Sequence, residues 1–315
     1  MRTFLLFYIG LTILSAGCRA PREEVLVKLT ALSDYPSGSG IAFYRDKIYL
    51  MGDDAPYLLV TDTAFITRDT IPFFSSSEKR IPKNIKKDPE GATILNVNKN
   101  PLLFIIGSGS NERLRNFCWI FDIATQVKTE VSLDTFYNRL VAAGIRELNV
   151  EGIAALPGGV VLASRGNKSY LKNHLIFTSD NFWMNQANAP ISIATIGVTT
   201  DTSLFSGISG LEYSKLSDKL LLTVSTENTY NSLADGVIGK SYLWIINDIS
   251  SKTGFSGINP SSVTDLETID SRFNNQKIES VCIIQENKKS AELVFVSDDD
   301  KGGSVLFKVR LKRKL

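Results

Sequence analysis

Apolar positions in this chain fall into short runs of β-branched and aromatic residues, broken by Gly, Pro, Asn and Asp. Runs of that length and composition predict strands. One stretch departs from the pattern. Over 132–146, Leu133, Phe136, Leu140, Val141 and Ile145 recur at helical spacing, which predicts a single helix inserted between strand units. The strands come in a fixed order. A polar anchor, a Gly or Ser and an apolar run open each unit: Ser39-Gly40-Ile41, Glu90-Gly91-Ala92, Glu151-Gly152-Ile153, Ser209-Gly210-Leu211 and Glu279-Ser280-Val281. Second strands follow at 47–51, 102–106, 159–163, 219–224 and 292–296, each ending in small or polar residues. Third runs lie at 57–62, 117–122, 175–180, 242–248 and 304–309, and fourth runs at 65–71, 128–133, 190–198 and 262–269.

Anchors at 39, 90, 151, 209 and 279 recur every 50 to 70 residues. Four antiparallel strands at that period predict an all-β fold, a five-bladed β-propeller. A β-sandwich explains the strands but not their ordered repetition. The fifth unit runs out of chain after its third strand, and the spare strand 25–30 ahead of the first anchor is placed to complete it. Such closure removes the open edges of a lone sheet.

The first residues change the picture of location. Arg2, an apolar run from Phe4 to Leu14 and the small residues Ser15-Ala16-Gly17 precede Cys18. The run is shorter than the roughly 20 residues a membrane span needs, and it has the form of a secretory signal. Its end resembles a relaxed bacterial lipobox, with Ser15 where Leu is usual. The resemblance implies a signal peptide over 1–17, a lipid on Cys18 and a polar tether over 18–24, the simpler alternative being an ordinary cleaved signal with a coincidental Cys; the strand repeats then make one propeller domain over 25–315. It also implies an exported, lipid-anchored protein of the bacterial cell envelope; a monomer that touches the membrane through the lipid alone is expected.

Charge excludes several partners. Without Arg2 the chain carries 34 basic and 33 acidic residues, so no global field attracts nucleic acid. The basic stretch 308–314 alternates like a strand and is expected as a solvated strand edge. Cys118 and Cys282 each sit in an apolar run, which predicts two buried thiols. His174 is the only histidine, so histidine-based acid–base chemistry is nearly excluded, and the residue reads as a bystander. No Gly-rich loop precedes a helix, and no nucleophile elbow is present.

In a propeller the anchors would ring one axis. Three glutamates and two serines offer oxygen ligands alone, and crowded carboxylates repel unless a cation joins them. That donor set suits Ca²⁺ and not zinc or copper. The simpler alternative is that each anchor merely opens a strand at the surface. The series resembles the calcium-activated nucleotidases, the apyrases of blood-feeding arthropod saliva and the vertebrate secretory pathway. More distantly it is similar to secreted bacterial phytase-like and SdiA-regulated propellers, which share Asp-x-Glu-Gly phrases. The resemblance implies a five-bladed propeller with one Ca²⁺ held by Ser39, Glu90, Glu151, Ser209 and Glu279. It also implies hydrolysis of a small phosphorylated substrate, nucleotide or related phosphoester. Arg165 and Arg113 then neutralise phosphate, while Glu227 or Glu112 positions the attacking water. At the matching phrase, 107–113 keeps its glycines and Glu112 but lacks the Lys and Trp of those enzymes. Asp53, Asp54 and Asp298 to Asp300 read either as acidic turns or as a second acidic shell. The competing expectation is a non-catalytic lipoprotein that binds an extracellular ligand or partner over a structural Ca²⁺, using the loop 225–241 and Phe182-Trp183.

Overall fold

A computed structural model of the chain describes residues 24–111, 113–197, 205–227, 238–298 and 302–312, with Glu227 and Ile238 described by backbone alone. The expected signal, Cys18 and its tether up to residue 23 lie outside the described residues, as do Glu112, Asp299 and Asp300.

Strand β1 spans Glu24–Leu32. Blade one holds β2 (Gly38–Tyr44), β3 (Lys47–Gly52), β4 (Tyr57–Asp62) and β5 (Thr67–Pro72). Blade two holds β6 (Pro89–Val97), β7 (Asn100–Gly107), β8 (Phe117–Asp122) and β9 (Lys128–Ser132), and the helix α1 (Asp134–Ala142) follows it. Blade three holds β10 (Val150–Leu156), β11 (Gly159–Ser164), β12 (Asn173–Thr178) and β13 (Ser192–Ile196). Blade four holds β14 (Ser206–Ser214), β15 (Lys219–Glu227) and β16 (Ile238–Asn247), then, after the short β17 (Gly257–Ile258), β18 (Ser262–Asp265). Blade five holds β19 (Lys277–Glu286), β20 (Ser290–Asp298) and β21 (Ser304–Lys312), and β1 pairs antiparallel with β21 to complete it. The fold is a five-bladed β-propeller with four antiparallel strands per blade, and the short β17 adds to the outer edge of blade three, parallel to β13.

The inner strands of each blade are buried on both faces, which is why they read as continuous apolar runs, while the outermost strands β1, β5 and β9 are largely exposed or half-buried. In β3, Ile48 and Leu50 pack with Cys282, Val294 and Val296 of blade five, while Tyr49 and Met51 pack with Ala92, Leu103 and Ile105 of blade two. The strand period of two sends alternate side chains to opposite neighbours. Five apolar clusters result, one at each junction between adjacent blades. The helix fills the junction of blades two and three with Phe136, Tyr137 and Leu140. Phe182 packs there too, 4.7 Å from Phe136 and 5.6 Å from Phe104 between ring centroids. Its place in the core removes the Phe182-Trp183 pair from the expected contact face.

Three further expectations meet the structure directly. Cys118 and Cys282 are free and buried, as their apolar surroundings require. The basic stretch is not an edge: β21 lies between β20 and β1, Arg310 pairs with Glu292 at 2.7 Å, and Lys308 reaches the Thr63 carbonyl of blade one. The closing strand has covered the edge that alternation alone suggested. The fourth strand of blade four stops at Asp265, whose carboxylate caps a one-turn helix at Leu266–Thr268 by accepting from the Glu267 amide at 3.0 Å.

Candidate functional site at the propeller mouth

The innermost strands β2, β6, β10, β14 and β19 form a closed ring, each packed on the next. Each carries a bulge near its start. In β2 the pairing steps from Gly38 to Gly40 and skips Ser39. In β6 it skips Glu90, in β10 Glu151, in β14 Ser209 and in β19 Glu279. All five anchors are therefore the extra, unpaired residue of a β-bulge, a device that re-aims a side chain.

The residue after each anchor explains its small size. A Cβ on Gly91 would stand 2.9 Å from the Gly152 Cα, one on Gly152 3.0 Å from the Leu211 nitrogen, and one on Gly210 2.6 Å from the Glu279 carbonyl. Neighbouring inner strands touch through their backbones at this level, directly beside the anchors.

Four anchors come within electrostatic reach of one another. Ser39 donates its hydroxyl hydrogen to Glu90 Oε2. Burial raises the Glu90 carboxyl well above its usual range, and Asp88, Glu151 and Asp53 push it further up. Burial and then Glu279 raise Glu151 to about 8 against the pull of Arg165. The fifth anchor turns away: Ser209 donates to the Ile278 carbonyl at 2.6 Å and stitches blade four to blade five.

Each carboxylate has a basic or amide neighbour. The residues two places before the anchors are Ser37, Asp88, Asn149, Gly207 and Lys277, and they form a second tier. Asn149 Nδ2 donates to Glu151 at 2.5 Å, and Lys277 Nζ stands 3.0 Å from Glu279. Asp88 takes Lys86 at 2.9 Å on Oδ1, and Arg115 at 2.8 Å and the Ser108 hydroxyl at 2.6 Å on Oδ2. Its left-handed backbone, φ 56°, is a conformation in which Asp is enriched. Lys86 also pairs with Asp53. Arg80 binds Asp54 at 2.7 Å and Ser37 at 3.2 Å. Burial raises Asp53 to about 6, with Lys86 opposing.

One oxygen each from Asp53, Asp88 and Glu90 lies within 4.8 Å of the others, an arrangement able to hold a metal ion. Asp53 Oδ1 and Asp54 Oδ1 are buried with no hydrogen-bond partner. The donors are all oxygen, as a hard divalent cation requires.

The other sequence candidates divide. Arg165 is buried beside Glu151, with Nη2 3.3 Å from the Ser225 hydroxyl of blade four. Arg113 is exposed, its amide donating to Asn111 at 3.1 Å; Arg115, two residues on, is the one that turns inward. Glu227 ends β15, and its side chain lies outside the described residues with that of Glu112. His174 is buried in blade three, its ring stacked on Tyr170 at 5.7 Å, and burial lowers it to about 4. Sequence reasoning missed Lys86, Asp88, Arg115, Asn149 and Lys277. The signal was there: three of the five stand two residues before an anchor.

Fold and site define a five-bladed propeller with a mixed-charge, acid-rich cup where its inner strands begin. The chain belongs to DUF6929, a family of unknown function whose model matches residues 34–311. Among solved structures it is similar to the glutaminyl cyclase of Myxococcus xanthus, with 9% identity, a TM-score of 0.51, and 92% of this chain and 97% of that one covered. It is also similar to a GH43 β-1,3-galactosidase, with 8% identity, a TM-score of 0.53, and 91% of this chain and 62% of that one covered. At such identities the likeness is one of fold. No curated protein matches the chain.

Proposed function

We propose that this chain is a lipid-anchored cell-envelope propeller that holds Ca²⁺ at the mouth of its inner ring and hydrolyses a small phosphorylated substrate there. The observation that carries the reading is the convergence of Ser39, Glu90, Asp53 and Asp88, with an unpartnered Asp53 oxygen among them. Glu151 and Glu279 extend the same acidic wall. The resemblance to the calcium-activated nucleotidases supports both the cation and the substrate class. Bound there, Ca²⁺ would polarise a phosphoryl oxygen. Arg115, Arg165 and Lys277 stand among the carboxylates, where they suit an anionic ligand. The test is phosphate release from a panel of nucleoside di- and triphosphates and phosphomonoesters, with Ca²⁺ and with chelator. Absence of Ca²⁺-dependent turnover across the panel and across pH defeats the catalytic half.

A second reading keeps the cation and drops the chemistry, making the propeller a ligand-binding lipoprotein pinned by Ca²⁺. It is favoured by the exposed position of Arg113, which removes one of the two arginines assigned to phosphate. Ca²⁺-dependent thermal stabilisation without turnover is its signature.

A further inference from the structure

Between β5 and β6 the chain crosses from blade one to blade two as a strap, residues 73–88, that docks on the acidic end of blade one. Its one deeply buried aliphatic side chain belongs to Ile81, whose amide donates to the Asp54 carbonyl at 2.7 Å. Lys79 pairs with Asp34 at 2.8 Å and Arg80 with Asp54 at 2.7 Å. The amides of Ile85 and Lys86 close a turn on the Pro82 carbonyl at 2.9 and 3.0 Å. That turn delivers the Lys86 ammonium, its side chain only 13% exposed, into the group formed by Asp53, Asp88 and Glu90.

We infer that Lys86 is a tethered counter-ion: its ammonium fills the carboxylate cup in the cation-free protein, is displaced when a divalent cation binds, and thereby sets the affinity of the site. This deepens the cation reading above and rests on it. Asp88 makes the argument. Its Oδ1 is taken by Lys86, and its Oδ2 by Arg115 and Ser108. A hard cation needs oxygen contacts of about 2.3–2.6 Å, shorter than the ammonium's 2.9 Å to Asp88, so it can take that oxygen only if Lys86 gives up the place. Of the two basic partners, Arg115 is buried and held by the Ser110 hydroxyl at 2.8 Å. Lysine is a point charge on a flexible stem and is the partner able to swing out. The strap stays anchored when Lys86 moves, because Ile81 and Arg80 hold it to Asp54, Lys79 to Asp34 and Lys87 to Glu130, all outside the cup.

The test uses the full mature chain and CaCl2 as the probe. Calorimetric titration compares wild type with Lys86→Met, which keeps the stem and removes the charge. Removing a competing cation should tighten Ca²⁺ binding by about tenfold. Independently, acetylation of wild-type lysines is followed by mass spectrometry with and without CaCl2. Lys86 should be slow to react alone and several-fold faster at saturation, while exposed Lys79 stays constant. Equal or weaker binding by a folded Lys86→Met overturns the inference while leaving the cation site standing. Should that variant misfold, the wild-type acetylation pattern decides, and unchanged Lys86 protection at saturation overturns the inference. If neither protein takes up Ca²⁺, the cation reading fails and this inference falls with it.

Discussion

Ser39 of blade one donates its hydroxyl hydrogen to Glu90 of blade two, so the first two anchors of the ring are bonded directly across a blade junction. A hydrogen bond to a charged or partly charged acceptor contributes about 1.5–3 kcal/mol, more than a neutral one. Ser39→Ala is expected to lower stability by about 1–2 kcal/mol in urea unfolding and to weaken the thermal shift produced by Ca²⁺. An unchanged Ca²⁺ response would remove Ser39 from the site.

Stability of the cation-free protein should fall as pH rises through the neutral range. Glu151 is raised to about 8 and Asp53 to about 6, from ordinary values of 4.5 and 3.8. Between its ordinary and its folded value each group keeps a proton that the unfolded chain has released, so raising pH favours unfolding. A tenfold difference in proton affinity between the folded and unfolded chain is worth up to about 1.4 kcal/mol. The melting temperature without Ca²⁺ should therefore decline from pH 5 to pH 8, and Glu151→Gln should flatten the decline. Added Ca²⁺ favours the ionised forms, so its stabilising effect should grow over the same range. A flat profile in chelator would contradict the burial and crowding of these acids.

Backbone contact between inner strands makes the glycines after the anchors intolerant. Gly152→Ala places a Cβ 3.0 Å from the Leu211 nitrogen and 3.1 Å from Gly210 backbone atoms, which cannot yield as side chains do. A loss of about 2–3 kcal/mol is expected by denaturant titration, in the range of overpacked cores. Gly158→Ala is a control for space: nothing lies within 4 Å, although its φ of +81° carries strain of its own.

The two arginines assigned to phosphate should separate. Arg165→Ala removes a buried cation beside Glu151 and should abolish any Ca²⁺-dependent turnover and raise the Glu151 carboxyl further. Arg113→Ala, at an exposed position, should leave turnover and melting temperature within error. Equal losses in both variants would return Arg113 to the site.

Architecture was legible because repetition is a property of order along the chain. Five anchors at similar spacing, each followed by a strand, point to blades whatever their exact bounds. The anchors themselves were also readable, since each is followed by Gly or Ser where neighbouring inner strands approach closely. Their geometry was not. That each is the skipped residue of a bulge depends on pairing with the second strand, which no local pattern states. Lys86 was hidden for another reason. It lies in a loop rich in Lys, Ser and Pro, where the exposed Glu78, Lys79, Arg80 and Lys83 precede it, and it is the docking of Ile81 and Arg80 on Asp54 that turns the loop inward. Arg115 and Arg113 are indistinguishable by composition, and the turn at Asn111 decides between them.

The way β1 completes blade five also orients the molecule. Glu24 pairs with Leu311 and Leu32 with Ser304, and Ser304 pairs in turn with Asp298, which faces Lys277 beside the cup. Strand β1 thus starts at the end of the propeller opposite the acidic mouth and runs up to it. On the lipid-anchored reading proposed above, attachment ahead of Glu24 falls on the face opposite the cup, and the mouth looks away from the membrane toward solutes in the surrounding medium.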